Sequence, residues 1–489
     1  DELPSLNRFE PDTNFLVRAS AGAGKTTALI SRIEALVRKG VPMRSIVAIT
    51  FTRKAASEMK ARLFERFQAM KDQDDRIRTA LDNLSQCFVG TIHSFCVQLL
   101  RAFPIRAGLP PDFQMETDAQ PLEQLRDEAW DRYLDEAYEK DRAQFEAILA
   151  TGTDPADLRP MYNELAKYPD LTPHVTKNAP KPDLTDAVAR TISFVRQWRK
   201  RMPDPLPDEG ACGVIDGFRE MLRIYDHYQP STPSEQVEFL SIIAGLTKKD
   251  KRSSTDSLRR ADLTQKAWKP YKEAAKQLDN HDLIAFLERC VEPALKKWHA
   301  YVHRICTTFV EDGRDYLINL RRDRGVLSSS DVLYHTRNLL RENSRVRHRL
   351  QARYDDTPRL LVDEFQDTDP LQAEIVFYLT GENHDATDWR EADPAPGSLF
   401  VVGDDKQSIY RFRRADMAIF DEVAGLIDSQ PHGEKLTLTR NFRSLPALCD
   451  HFDDAFAPVF KDDRTHPDEK PPGSAVQAEY EPFEAHRTA

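Results

Sequence analysis

The sequence predicts an α/β fold, a parallel sheet interrupted by a mostly helical insertion, on three observations. Short apolar runs bounded by turn residues occur near both ends of the chain: Phe15-Leu16-Val17, Ile46 to Ile49, Phe88-Val89, Leu360-Leu361-Val362 and Leu399 to Val402. Runs this short and continuous fit strands buried on both faces. The first two flank a segment, Thr26 to Lys39, whose Leu29, Ile30, Ile33, Leu36 and Val37 recur at helical spacing up to Gly40, a strand, helix, strand unit. From about Asp118 to Gly325 the pattern turns to long helical periods, such as Leu122, Leu125, Ala129, Trp130, Tyr133, Leu134 and Ala137. The strand pattern resumes at Leu360, so the helical part interrupts the α/β part.

Within the insertion, Pro-rich breaks at 154–182 and 203–207 separate the helices. After His466 the chain becomes polar and Pro-rich, and no internal repeat is present. A length of 489 residues fits two to four domains. With 40% hydrophobic and 30% charged residues and no long apolar stretch, a membrane span is excluded. The start, Asp1-Glu2-Leu3-Pro4, has no initiator Met, basic region or apolar region, so no secretion signal is read and residues before it are expected. Six scattered cysteines with no C-x-x-C pair fit neither a zinc site nor a disulfide framework, and predict reduced thiols in a cytoplasmic protein. Net charge −11 argues against a binder that relies on bulk positive charge. Two basic regions stand out nevertheless, with 12 Lys/Arg against 7 Asp/Glu in residues 1–70 and 10 against 4 in residues 248–276.

Ala19-Ser20-Ala21-Gly22-Ala23-Gly24-Lys25-Thr26 follows the first strand and opens the first helix. Small residues there let backbone N–H groups close around a phosphate, and the helix N-terminus adds partial positive charge. Lys25 is placed to reach the β- and γ-phosphates of a nucleotide and the Thr26 hydroxyl to coordinate Mg²⁺. Ala19 stands where the strict pattern has Gly. Asp363 and Glu364 end another apolar strand, beside the crevice at a sheet's carboxyl edge. Asp363 can hold Mg²⁺ through water, and Glu364 can orient and deprotonate an attacking water. Alone, such a pair often just begins a solvated helix; the phosphate loop gives it meaning.

Six segments recur in one order: Gly22 to Thr27, Ile49 to Met59 (ITFTRKAASEM), Gly90 to Phe95 (GTIHSF), Val362 to Thr368 (VDEFQDT), Val402 to Phe412 (VGDDKQSIYRF) and Asn441 to Ser444 (NFRS). In this order they resemble the motifs of UvrD/Rep-type superfamily 1 DNA helicases, and Lys406 to Phe412 is most similar to the helicase subunits of RecBCD and AddAB recombination complexes. The resemblance covers about residues 9–104 and 326–450. It implies a RecA-like motor domain in two parts, 1–117 and 326–435, a helical insertion at 118–325, and the start of a second motor domain at 436–489.

ATP and Mg²⁺ are the cofactors the resemblance implies, held by Ser20, Ala21, Gly22, Ala23, Gly24, Lys25, Thr26 and Thr27, with Thr26 and Asp363 at the metal. Beside Glu364, it casts Gln407 as sensor of the γ-phosphate, Arg443 as a γ-phosphate contact and Phe442 as a stacking partner for adenine. Thr52, Thr91 and His93 are then expected along a single DNA strand, with Tyr410 and Phe412 stacked on its bases, in keeping with aromatic faces that bind any base. Read alone, Tyr410 and Phe412 also fit core residues at alternating spacing, and His93 a buried, satisfied histidine. Implied partners are single-stranded DNA and duplex/single-strand junctions; a second helicase-nuclease subunit is a candidate, and no membrane is involved. Arg414 stands where relatives usually have Gly, and no Gln precedes the phosphate loop in Asn7 to Pro11. The last two helicase motifs have no counterpart after Ser444, so residues 1–489 are expected to bind ATP and hydrolyse it hardly at all.

The reading is therefore an ATP-dependent DNA helicase or translocase of repair or recombination, present as its N-terminal portion. The alternative is a non-enzymatic ATP- and DNA-binding scaffold. For the basic cluster Lys248 to Lys272, with Trp268 and Tyr271 among its cations, a DNA phosphate surface and a solvated helix face both stay open.

Overall fold

A computed structural model describes residues 9–489 except 21, 207, 211, 250–258, 262–268, 279–281, 356, 439, 462–483 and 486–489. Five of the apolar runs become strands: β1 (Asn14–Ala19), β2 (Ile46–Thr50), β3 (Phe88–Thr91), β4 (Arg359–Val362) and β5 (Leu399–Gly403). With a sixth, β6 (Gly433–Leu438), they form one wholly parallel sheet in the order β6-β1-β5-β4-β2-β3. Because every strand points the same way, every strand's carboxyl end, and the loop that leaves it, lies along one edge.

Strand alternation builds a core on each face. Leu16, Val47, Ile49, Leu360 and Val401 pack with Phe95 and Leu99 of the helix Ile92–Ala102. Phe15, Val17, Ala48, Leu361 and Phe400 pack with Leu29, Ile33 and Leu36 of α1 (Lys25–Lys39). Helix α1 ends at Gly40, whose φ of 104° needs a residue without a side chain. On the same helix Arg32 is wholly buried and donates to the carbonyls of Glu10 (2.6 Å), Pro11 (3.1 Å), Thr13 (3.0 Å) and Gly397 (3.1 Å). Burial pulls its pKa down to about 9, and those four carbonyls make the buried cation tolerable while pinning the chain's approach to β1.

Strand β6 spans the expected boundary at 435/436. It pairs with β1 from Asn14↔Gly433 to Ala19↔Leu438, so the first sheet runs on to Leu438. The chain divides into two compact units, Asp1–Thr117 with Arg322–Ala489, and Asp118–Arg321.

The second unit is mostly helical. Its core centres on Trp130 of the helix Ala119–Lys140, stacked on Tyr162 at 4.5 Å and edge-on to Phe309 at 6.0 Å. A Cβ at Gly313 would lie 2.9 Å from Trp130, so glycine lets the long helix Glu292–Arg324 approach this closely. A short antiparallel pair, Thr247–Lys249 with Arg259–Ala261, sets Lys248 opposite Arg260 and Lys249 opposite Arg259. Of the basic cluster, Asp250, Lys251, Arg252, Lys266 and Trp268 lie outside the described residues. Among the described residues no helix is long and apolar enough to cross a membrane.

Candidate functional site

The site is built from the loops leaving β1 to β5 at the sheet's carboxyl edge, with the segment that follows β6. After β1 the chain turns through Gly22 (φ 79°) and Gly24 (φ 87°), both in the left-handed region, and enters α1 at Lys25. That geometry is what a phosphate loop requires. Ala23 N–H donates to the Ser20 carbonyl at 3.0 Å, and Thr26 and Thr27 occupy the first turn. Ala21 lies outside the described residues.

A second segment covers the loop. Phe442 N–H donates to the Gly22 carbonyl at 3.0 Å, and a Cβ at Gly22 would lie 2.8 Å from both Arg443 Cβ and Asn441 Oδ1. Buried Asn441 fixes the turn, its Oδ1 accepting from the backbone N–H of Arg443 and of Ser444, each at 2.8 Å. The Arg443 side chain is exposed.

Lys25 Nζ reaches Glu364 Oε2 at 2.6 Å, joining the loops after β1 and β4. Glu364 has φ 52°, ψ 45°, a left-handed conformation that is uncommon for a residue with a side chain. Asp363 is anchored by its N–H to the Ile49 carbonyl at 2.9 Å. Burial, then the charge of Glu364, push the Asp363 carboxyl up to about 6, with Lys25 opposing. Asp367 is pushed up to about 6 by the same two causes in the same order. Three carboxylates thus share one cation, a surplus of negative charge that a divalent ion beside Asp363 would offset.

Further along the edge lies an aromatic face. Tyr410 packs on Phe51 (centroids 4.9 Å, 30° between planes) and next to Phe412 (5.7 Å). Arg413 lies over both Tyr410 and Phe412, at 5.2 Å and 5.8 Å. Phe412 is 74% exposed and Phe51 36%, so these rings are not core residues. Thr52 and Thr91 cap the helices after β2 and β3, their hydroxyls accepting from Ala55 N–H (3.1 Å) and Ser94 N–H (3.4 Å). His93 is half-buried and its pKa is lowered by burial, which keeps the imidazole neutral at neutral pH. Gln407 Nε2 donates to Asp404 Oδ2 at 2.5 Å. Arg414 has φ 69°, the conformation a glycine adopts freely.

A phosphate loop, a strand-end carboxylate pair and an aromatic face on one edge leave the family to be decided by the sequence as a whole. Residues 6–426 match the family described as UvrD/REP helicase N-terminal domain. The chain belongs to that family. Curated relatives of the UvrD/REP domain here include an ATP-dependent helicase/nuclease subunit of Enterococcus faecalis, 26% identical over 483 residues. Proteins of the same description from Exiguobacterium sibiricum and Staphylococcus aureus are 26% identical over 486 residues and 27% over 485. The alignments cover 90%, 91% and 88% of this chain but only 37%, 39% and 37% of those relatives. The chain therefore spans less than two-fifths of their length.

In this UvrD/REP domain the structure brings Ser20, Gly22, Ala23, Gly24, Lys25, Thr26, Thr27, Asp363, Glu364, Gln407, Phe442 and Arg443 to one edge, with Thr52, Thr91, His93, Tyr410 and Phe412 along it. Sequence reasoning passed over Phe51, Gln366, Asp404 and Asn441. Phe51 carried a signal, as an aromatic immediately before the Thr52 helix cap. Asn441 carried one too, as an Asn that can accept from the N–H groups two and three residues on, whereas Gln366 and Asp404 meet through a hydrogen bond between loops 38 residues apart, which no local spacing reveals.

Proposed function

We propose that this UvrD/REP domain is the nucleotide-binding motor of an ATP-dependent helicase or translocase that acts on single-stranded DNA in repair or recombination. The observation that supports this best is the shared edge: the Lys25–Glu364 contact and the Phe51–Tyr410–Phe412 face leave the same side of the same sheet. Lys25 and the Gly22–Gly24 turn bind the phosphates, Phe442 stacks on adenine, and Arg443 contacts the γ-phosphate. Thr26 and Asp363 hold Mg²⁺, which when bound supplies charge neutralisation at the phosphates. Glu364 takes the proton of the attacking water, and Gln407 senses the phosphate. Thr52, Thr91 and neutral His93 line the strand while Tyr410 and Phe412 stack on its bases.

Charge stabilisation from a second motor domain can be worth about 10³ to 10⁵ in rate. Residues 1–489 alone are therefore expected to bind ATP with little turnover. Because the relatives are described as one subunit of a helicase/nuclease, the further partners of this reading are a second such subunit, together with a duplex/single-strand junction. Steady-state phosphate release by the full-length protein, with and without oligothymidylate, tests it. Strand-stimulated release is expected; none at all would favour a scaffold that binds ATP and DNA without turnover.

A further inference from the structure

Two loops of the carboxyl edge are zipped together by hydrogen bonds. One, residues 363–368, follows β4 and carries Glu364. The other, residues 404–412, follows β5 and carries Gln407, Tyr410 and the exposed Ile409 and Phe412. Gln366 stands between them, 2% exposed. Its Nε2 donates to Glu364 Oε2 at 2.8 Å, and its Oε1 accepts from Asp404 N–H at 2.9 Å. Its backbone carbonyl accepts the Ser408 hydroxyl at 3.1 Å. The amide orientation is fixed from both ends, because only the oxygen can accept from Asp404 N–H and only the NH₂ can donate to a carboxylate. Since Asp404 also accepts from Gln407 at 2.5 Å, one row runs Glu364, Gln366, Asp404, Gln407. Gly403 makes room for it, as a Cβ there would lie 2.8 Å from Gln366 Oε1.

We infer that Gln366 is a positioning residue that carries the state of the strand-binding loop to Glu364. The inference rests on the function proposed above and adds a part that no motif role supplies. Among the described residues the Glu364 carboxylate is held by two side chains, Lys25 and Gln366, both donating to Oε2. Lys25 is the cation assigned to the phosphates. Once it turns to them, Gln366 is the one of the two that still holds the base. A buried amide cannot abandon either partner without a desolvation cost, so movement of Asp404 N–H with its loop draws the Gln366 amide, and Glu364 with it. Stacking at Tyr410 and Phe412, on the same loop, thereby acts on the base.

The test uses the full-length protein and two variants, Gln366→Leu and Gln366→Glu. The first removes both side-chain bonds. The second keeps an acceptor for Asp404 N–H and faces Glu364 with a like charge. Phosphate release is measured with and without oligothymidylate, together with the KM for ATP, the Kd for oligothymidylate and the melting temperature. Both variants are expected to lower strand-stimulated kcat about 10- to 100-fold, the span of a mispositioned catalytic group. The ratio of stimulated to unstimulated turnover should fall about 10-fold, while KM and Kd stay within about 3-fold. An unchanged ratio would overturn the inference, as would KM, Kd and kcat worsening together with the melting temperature. Should the Leu variant not fold, the Glu variant, equal in volume to the original, decides by the same criteria. Failure of the unmodified protein to show strand-stimulated release is visible before any variant is made, and overturns the proposed function and this inference with it.

Discussion

In the helical unit the buried hydroxyls of Tyr133 and Tyr162 donate to the carbonyls of Phe309 and Arg126, each at 2.9 Å. At the carboxyl edge of the sheet, Asp363, Glu364 and Asp367 crowd around Lys25 instead. Both regions shift pKa values by burial: the tyrosines are pushed far up, and so are the two aspartates. The difference lies in what burial leaves over. Each tyrosine is neutral and satisfied by a backbone acceptor, which fixes packing and leaves nothing to react. The carboxylates keep charge that the protein alone does not balance. A shifted pKa marks a site only where the surroundings leave such a surplus.

If the comparison holds, mutations in the two regions should separate binding from stability. Replacing Tyr410 and Phe412 together by Ala should cost about 2 to 6 kcal/mol of oligothymidylate affinity, at roughly 1 to 3 kcal/mol per stacked base. Fluorescence anisotropy reads it; loss of the exposed Phe412 should hardly move the melting temperature, and loss of the half-buried Tyr410, packed on Phe51, should lower it only modestly. Unchanged affinity would remove the rings from the strand path.

Trp130→Ala should do the opposite. Truncating a wholly buried Trp costs about 3 to 5 kcal/mol of stability, to be seen in denaturant unfolding as an earlier transition. ATP affinity of the folded protein should be unaltered; a large loss would mean that the helical unit is not the structural region described.

The smallest effect concerns charge surplus. Asp367 holds its proton to about pH 6 in the folded protein against a usual value of 3.8, so the folded state binds the proton more tightly than the unfolded chain. Folding therefore loses stability as pH rises from about 4 to about 6, and the loss is complete above that. Asp367→Asn should then stabilise the protein by about 1 to 2 kcal/mol at pH 7.5, and the gain should vanish at pH 4. Thermal unfolding at the two pH values checks the sign. Equal effects at both would show that Lys25 already balances the three carboxylates.

Much of the fold was legible because β1 to β5 are buried runs of apolar residues, a signal that survives without any knowledge of partners. The edge strand β6 was not. Its Lys435 and Thr437 alternate with Leu436 and Leu438 after an exposed Glu434, and the outward positions look like loop or surface until β1 is seen beside them. The same holds for the site. Lys25, Asp363 and Glu364 announce themselves because a glycine turn before a helix and a carboxylate pair after a strand are local patterns. Gln366 has no such pattern: its meaning comes from Asp404, 38 residues on, brought alongside by the pairing of β4 with β5. Phe51 stands in a local pattern, just before the Thr52 cap, but which ring it meets is seen only in its contact with Tyr410.

Under the proposed function this edge is the catalytic half of a DNA-stimulated ATPase, with Glu364 as its base. Phosphate release by the full-length protein under saturating ATP and oligothymidylate, compared between the unmodified protein and Glu364→Gln, tests it most directly. The substitution keeps the volume and leaves the Gly22–Gly24 turn and Lys25 in place, so ATP binding should persist while strand-stimulated turnover falls by about 10² to 10⁴. Turnover within a few-fold of the unmodified protein would contradict the account, since the water would then have its base elsewhere.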